Sequence, residues 1–168
     1  NFLTVLMRMR NENLFLESFI KHYFAEGVDE IHILDDNSTQ PFPDIVKDPR
    51  VFIYEATHFK SHHEKLIDAQ LLYNHLLRDK TEWFMFIDAD EFITTRRNSD
   101  KTIREELETT FKDADLIKIP WIMFGSNGQD ANPKQVLTET TWRWDHDKKH
   151  PHPEEALKIW KHRCCKYD

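Results

Sequence analysis

Glycine is scarce in this chain of 168 residues, with three in all, at positions 27, 125 and 128. Phosphate cradles made of backbone N–H groups need clustered glycines, so the dinucleotide-binding Gly-x-Gly-x-x-Gly turn and the Gly-x-x-x-x-Gly-Lys loop are both excluded. The two cysteines, Cys164 and Cys165, are adjacent, and sequence neighbours rarely reach disulfide geometry. Neither a disulfide framework nor a cysteine-based zinc site is readable, which fits a reducing, cytoplasmic compartment. Excess positive charge is missing too. A formal charge of −7 disfavours nucleic acid as a partner, because that partner demands a basic face for counterion release. No apolar stretch approaches the length of a membrane span, and the mean hydropathy is −0.70. The chain opens at Asn1 without a signal-like segment. It therefore reads as one soluble domain over residues 1–168, cut from something longer.

What is present is a core-forming composition, 39% hydrophobic and 12% aromatic, and one stretch that dominates the rest. Trp83-Phe84-Met85-Phe86-Ile87 is an unbroken apolar run that ends in Asp88-Ala89-Asp90-Glu91. Five apolar residues without alternation require both faces to be covered, as in a central strand of a parallel sheet. The acids then lie at a strand's carboxyl end, the edge at which open α/β sheets bind ligands. Carboxylates gathered there repel one another unless a cation joins them, and oxygen-only donors suit Mg²⁺ or Mn²⁺ better than Zn²⁺. The plain alternative is a solvated acidic turn.

Around this run the periodicities give an α/β order. Phe2 to Met9 reads as a first strand. Leu16, Phe19, Ile20, Tyr23 and Phe24 mark one face of a helix that Gly27 ends. Glu30 to Leu34 is a second strand, closed by the polar cluster Asp35-Asp36-Asn37-Ser38-Thr39. Val51 to Ala56 is a third. Ser61 to Asp79 reads as a helix with Leu66, Ala69, Tyr73, Leu76 and Leu77 as its buried stripe. The Trp83 run is the fourth strand. Thr102-Ile103-Arg104-Glu105 has the form of a capping box, opening a helix that carries Ile103, Leu107 and Phe111. Leu116 to Phe124 is a fifth strand. Gln129 to Pro153 is polar and His-rich, a long functional loop or cover, and Glu154 to Lys161 is expected to begin a last helix. The sum is a single α/β domain with a mostly parallel sheet flanked by helices.

Two strand ends are acidic, Asp35-Asp36 and Asp88-Ala89-Asp90. The first pair could accept hydrogen bonds from a base or ribose, or could merely close an Asx turn. Arg8 and Arg10 would stand near a base or phosphates.

In order along the chain stand Asn11-Glu12, Glu17, His22, Gly27, Asp35-Asp36-Asn37-Ser38, Gln70, Ile87-Asp88-Ala89-Asp90-Glu91-Phe92-Ile93, Trp121 and Phe124-Gly125-Ser126-Asn127-Gly128. The series resembles the GT-A-fold glycosyltransferases, nearest the family 2-like branch that includes family 92. The Asp-x-Asp with Glu-Phe after it is its most specific element. The resemblance implies transfer of a sugar, with inversion, from a nucleotide-diphosphate donor to an acceptor hydroxyl. UDP-sugar is the default donor, and a glycan, lipid-linked saccharide or glycoprotein the acceptor. It implies Mn²⁺ or Mg²⁺ on Asp90, with Asp88 shared between metal and ribose; Glu91, the third acid of the stretch, reads as structural support. Asn11, Glu12, Ala89 and Gly125 would join Arg8, Arg10, Asp35 and Asp36 around the donor.

The general base is expected beyond Gly128, with Asp145 favoured over Asp130, Glu139 and Asp147. Trp121 and Phe124 would stack on a sugar or fill the core. His62, His63, His146, His150, His152 and His162 are each a surface histidine or a late metal ligand, and Lys158 matches a lysine late in the family. Arg143-Trp144 lacks the Gln that precedes this pair in processive synthases. Rival readings are a two-metal phosphatase or nuclease, a nucleotidyltransferase, and an inert nucleotide-sugar or metal-binding module.

Overall fold

A computed structural model describes residues 1–56, 62–95, 100–120, 124–125, 128–134, 136–142 and 156–161, the last six and residues 62–66 by their backbone alone. The strands are β1 (Leu3–Met9), β2 (Glu30–Asp35), β3 (Val51–Glu55), β4 (Trp83–Asp88), β5 (Leu116–Pro120) and β6 (Ala156–Lys161). The helices are α1 (Asn13–Ala25), α2 (His62–Leu72), α3 (Ile103–Glu108) and the single turn α4 (Val136–Glu139). The sheet runs β3-β2-β1-β4-β6-β5. β1 to β4 are mutually parallel, and β6 is antiparallel to both its neighbours. Strand order reverses at β1. The chain leaves it to build β2 and β3 on one side, then returns to lay β4 on the other.

Successive residues of the Trp83 run part to opposite faces of this sheet, as strand geometry requires. Trp83, Met85 and Ile87 join Leu3, Val5 and Met7 of β1 against Leu16, Phe19, Ile20 and Tyr23 of α1, with Ile103 and Leu107 of α3. Phe84 and Phe86 join Leu6 and Leu34 against Ala69, Tyr73 and Leu77 from the other side. The Tyr73 and Phe84 rings sit 4.4 Å apart. An apolar run without alternation is thus the signature of a strand with a core on each face.

Helix ends follow their local chemistry. Gly27 takes φ +89° just past α1. At α3, the Thr102 hydroxyl accepts from the Glu105 N–H at 3.2 Å and the Glu105 carboxylate accepts from the Thr102 N–H at 2.7 Å, closing the capping box. α3 is shorter than expected, and Phe111 lies beyond it, 37% exposed. Past α2, Tyr73–Leu77 widens into a π turn, with the Arg78 N–H donating to the Tyr73 carbonyl at 2.9 Å. The wider turn rotates the helical phase and leaves Leu76, expected inside, 38% exposed.

The final element corrects the expectation of a helix over Glu154 to Lys161. Ala156–Lys161 is a strand, slotted between β4 and β5 with Ile159 opposite Ile117 and Leu157 opposite Ile119. Leu157, Lys158 and Ile159 alternate with period two, and the strand-favouring Ile and Trp outweigh a short run's weak helical pattern. Among the described residues no helix is long and apolar enough to cross a membrane.

Candidate functional site

The point at which strand order reverses opens a crevice at the carboxyl ends of β1 and β4, where an α/β sheet can seat a ligand. A cleft of about 270 Å³ lies there, lined by Arg8, Met9, Arg10, Glu12, Asp36, Asp88 and Asp90. Parallel register sets Arg8 beside Asp88. Two arginines and four acidic residues therefore line one space, with Met9 among them.

The acids repel one another. Burial raises the Glu12 pKa above its ordinary value, and the charges of Asp90 and Asp88 push it further the same way, while Arg8 pulls it back. Among the described residues, no three His, Cys, Asp or Glu side chains converge closely enough to hold an ion by themselves. The donor set nevertheless fits a hard cation. Mg²⁺-type sites commonly use one or two carboxylates and take further oxygens from substrate phosphates and water. Asp88 and Asp90 offer the two carboxylates, and the arginines offer phosphate partners.

The Asp88–Asp90 turn is held from three directions. Within it, the Glu91 N–H donates to the Asp88 carbonyl at 3.1 Å, and the Glu91 carboxylate accepts from the Asp88 N–H at 2.9 Å. Ala89 is fully buried, so a larger residue between the acids would meet the core. From α1, the Tyr23 hydroxyl donates to the Glu91 carbonyl at 2.9 Å and accepts from the Ile93 N–H at 3.0 Å. His22 Nε2 lies 2.8 Å from the Ile93 carbonyl, and since that oxygen can only accept, Nε2 carries a proton. Burial raises the pKa of the Tyr23 hydroxyl far above that of an ordinary phenol, against the opposing Ile93 hydrogen bond. It works as a neutral donor and acceptor.

The loops after β1 and β2 each carry an asparagine in left-handed geometry, Asn11 at φ 56° and Asn37 at φ 55°. The Asn11 side-chain oxygen accepts from the Thr39 N–H at 2.8 Å and the Gln40 N–H at 3.2 Å, and its own N–H donates to the Ser38 hydroxyl at 2.9 Å. Asn11 thus straps the β1–α1 loop to the loop after β2. Asp35 and Asp36 divide their duties. The Asp35 carboxylate accepts from the Ser38 N–H at 3.2 Å, an Asx-type turn, whereas Asp36 lines the cleft and anchors its backbone on the Met9 carbonyl at 2.9 Å.

The structure therefore gathers Arg8, Arg10, Glu12, Asp36, Asp88 and Asp90 into the cleft lining, while Asn11, Asp35 and Ala89 stand in the turns around it. Gly125 is exposed, and its N–H donates to the Trp142 carbonyl at 2.7 Å. Phe124 is 55% exposed rather than part of the core. Asp130 is exposed and Glu139 half-buried, and neither lines the cleft. Asp145, Asp147, Arg143, Trp144, Trp121, Ser126, Asn127, His146, His150, His152 and His162 lie outside the described residues, as do the side chains of His62, His63 and Lys158. Met9 and the Tyr23 clasp were not singled out from the sequence. A tyrosine in a buried stripe needs a partner for its hydroxyl, and that was the available signal.

Comparison with known proteins follows the same geometry. The family model described as glycosyltransferase family 92 matches residues 10–167. No curated protein matches the chain. Among solved structures, TarS 1-349 from S. aureus superposes with a TM-score of 0.58 at 15% identity, over 99% of this chain and 48% of that one. A 4-diphosphocytidyl-2C-methyl-D-erythritol synthase from Anaerococcus prevotii gives 0.51 at 8% identity, over 98% of this chain and 73% of that one. The mannosyltransferase PcManGT from Pyrobaculum calidifontis, in complex with GDP-Man and Mn²⁺, gives 0.46 at 19% identity, over 70% and 35%. The chain spans about half the length of the TarS chain it matches. At these identities the likeness is one of fold, and that fold is GT-A-like.

Proposed function

The chain belongs to glycosyltransferase family 92, and from that premise we propose that the cleft between β1 and β4 transfers a sugar from a nucleotide-diphosphate donor, UDP-sugar by default, to an acceptor hydroxyl. One observation carries this reading. Asp88, Asp90 and Asp36 share a cleft with Arg8 and Arg10 at the point where strand order reverses. Asp36 accepts hydrogen bonds from the nucleoside, and the arginines pair with diphosphate oxygens.

In the inverting displacement, the acceptor oxygen attacks the anomeric carbon from the face opposite the diphosphate. The anomeric C–O bond to phosphate breaks with its electron pair, and the hydroxyl proton passes to a carboxylate base. Asp145 is our proposed base, with Asp130, Glu139 and Asp147 as the other downstream carboxylates. Asp88 and Asp90 would hold Mn²⁺ or Mg²⁺, which when bound supplies positive charge against the departing diphosphate. The acceptor belongs to the glycan, lipid-linked or glycoprotein class.

The test is release of nucleoside diphosphate from a panel of nucleotide sugars, with Mn²⁺ and with EDTA. The reading expects slow donor hydrolysis that needs the metal and falls at least about 100-fold in Asp90→Asn, on the scale of losing one strong charge-stabilising group. Hydrolysis unchanged by Asp90→Asn or by EDTA would defeat it. A nucleotidyltransferase on a similar sheet would instead make a sugar nucleotide from a nucleoside triphosphate, and the same panel with triphosphates distinguishes the two.

A further inference from the structure

Three acids, Asp88, Asp90 and Glu91, stand at the end of β4, yet only two of them line the cleft. Asp88 and Asp90 line it, while the Glu91 carboxylate turns back along the chain and accepts the Asp88 N–H at 2.9 Å. The bond is reciprocated, since the Glu91 N–H donates to the Asp88 carbonyl at 3.1 Å. Asp88 and Glu91 thus close a four-residue turn at both ends, one backbone bond and one side-chain bond, with Ala89 buried and Asp90 exposed at its tip. That pattern is the logic of a capping box applied to a strand end. A carboxylate three residues on satisfies a backbone donor that strand pairing has left over.

The turn is also fixed from outside. Tyr23 of α1 donates to the Glu91 carbonyl at 2.9 Å and takes the Ile93 N–H at 3.0 Å, so the two peptide units on either side of Phe92, directly after the turn, are both tied to α1. Two acids that must meet one ion and one diphosphate need such rigidity, because a displacement of about 1 Å in a supporting element is enough to lose a large part of the effect.

We infer that Glu91 is a positioning residue, whose carboxylate locks the Asp88–Ala89–Asp90 turn through the Asp88 amide and does not itself ligate the metal. The inference rests on the proposed reading of the cleft as a metal and nucleotide-diphosphate site. It separates two roles that a run of three acids leaves confounded, since a ligand needs its charge and a turn lock needs only an acceptor oxygen. Glutamine keeps the acceptor at the same reach and drops the charge.

Calorimetric titration of UDP in the presence of Mn²⁺ decides between them, on wild type, Glu91→Gln, Glu91→Ala and Asp90→Asn, with each variant's melting temperature as a control for folding. The inference expects Glu91→Gln to keep the wild-type Kd within about three-fold, Glu91→Ala to weaken it about ten-fold or more, and Asp90→Asn to abolish metal-dependent binding. If Glu91→Gln loses binding as Asp90→Asn does, Glu91 is a ligand and the inference falls while the reading of the cleft stands. If Glu91→Ala binds as wild type does, the lock has no role and the inference also falls alone. A folded wild type that binds no UDP with Mn²⁺ overturns both.

Discussion

Glu12 is the residue that most directly feels the crowding of carboxylates in the cleft. Its carboxyl is pushed up by burial and by Asp90 and Asp88, so the folded state holds its proton more tightly than the unfolded chain does. Stability is then lost as pH rises from the unfolded value of about 4 through the raised folded one. Glu12→Gln should therefore raise stability at pH 7, without added metal, by less than about 1 kcal/mol given partial exposure, seen as a higher melting temperature, and the gain should vanish at pH 3.5. A melting series across that range checks the sign, and a destabilised Glu12→Gln at pH 7 would mean that the like-charge field is absent. Tyr23 gives a second residue-scale prediction. Tyr23→Phe keeps the ring and strips both hydrogen bonds, leaving the buried Ile93 N–H without that partner. Urea unfolding should show a loss of about 1–3 kcal/mol. The identities of Glu12 and Tyr23 were legible in the sequence, and their neighbours were not. Composition placed Glu12 beside the first strand, but only the β1–β4 register brings it to acids nearly eighty positions away.

The elements were most legible where a local rule sufficed. The apolar run of β4, the capping box at Thr102 and the glycine stop after α1 each follow from residues within one or two turns. Gly27 adds a tertiary reason. A Cβ there would come within 2.6 Å of the Arg104 Cβ, on top of its positive φ. Gly27→Ala should cost about 2 kcal/mol or more, combining left-handed strain with overpacking of α3, and chemical denaturation against wild type measures it. Asp29 ties the same corner together. Its carboxylate accepts from the Phe2 N–H at 2.6 Å, the Leu3 N–H at 3.0 Å and Arg104 at 2.8 Å. Burial alone would raise its pKa, but these bonds win and hold it below the usual carboxylate value. Its contribution is present above the unfolded pKa of about 4 and lost as pH falls through the lower folded value. Asp29→Ala should thus destabilise by roughly 2 kcal/mol at pH 7 and by much less at pH 2. Where elements misled, distance in sequence was the cause. Ala156–Lys161 is too short for its period to decide between helix and strand, and its place is set by β4 and β5, which lie far earlier in the chain. The π turn that exposes Leu76 breaks a phase that sequence reading assumes to be continuous.

At the scale of the whole molecule, the strand order β3-β2-β1-β4-β6-β5 is what makes a site from scattered acids. It puts the carboxyl ends of β1, β2 and β4 side by side, so that Arg8, Asp36 and Asp88 meet although no motif links them. The Asp-x-Asp at the end of β4 was legible in the sequence, and both of its acids line the cleft. The division of Asp35 and Asp36 between turn and cleft, and the return of Glu91 onto its own strand, depend on backbone directions that residue types do not encode. On the proposed reading these strand ends would hold a nucleotide diphosphate together with Mn²⁺ or Mg²⁺, and the decisive measurement is binding of UDP with and without Mn²⁺. Wild type should bind UDP in Mn²⁺, EDTA should remove this binding, and Asp90→Asn should remove it equally while keeping the fold. UDP binding of the same strength in EDTA, or in Asp90→Asn, would contradict it.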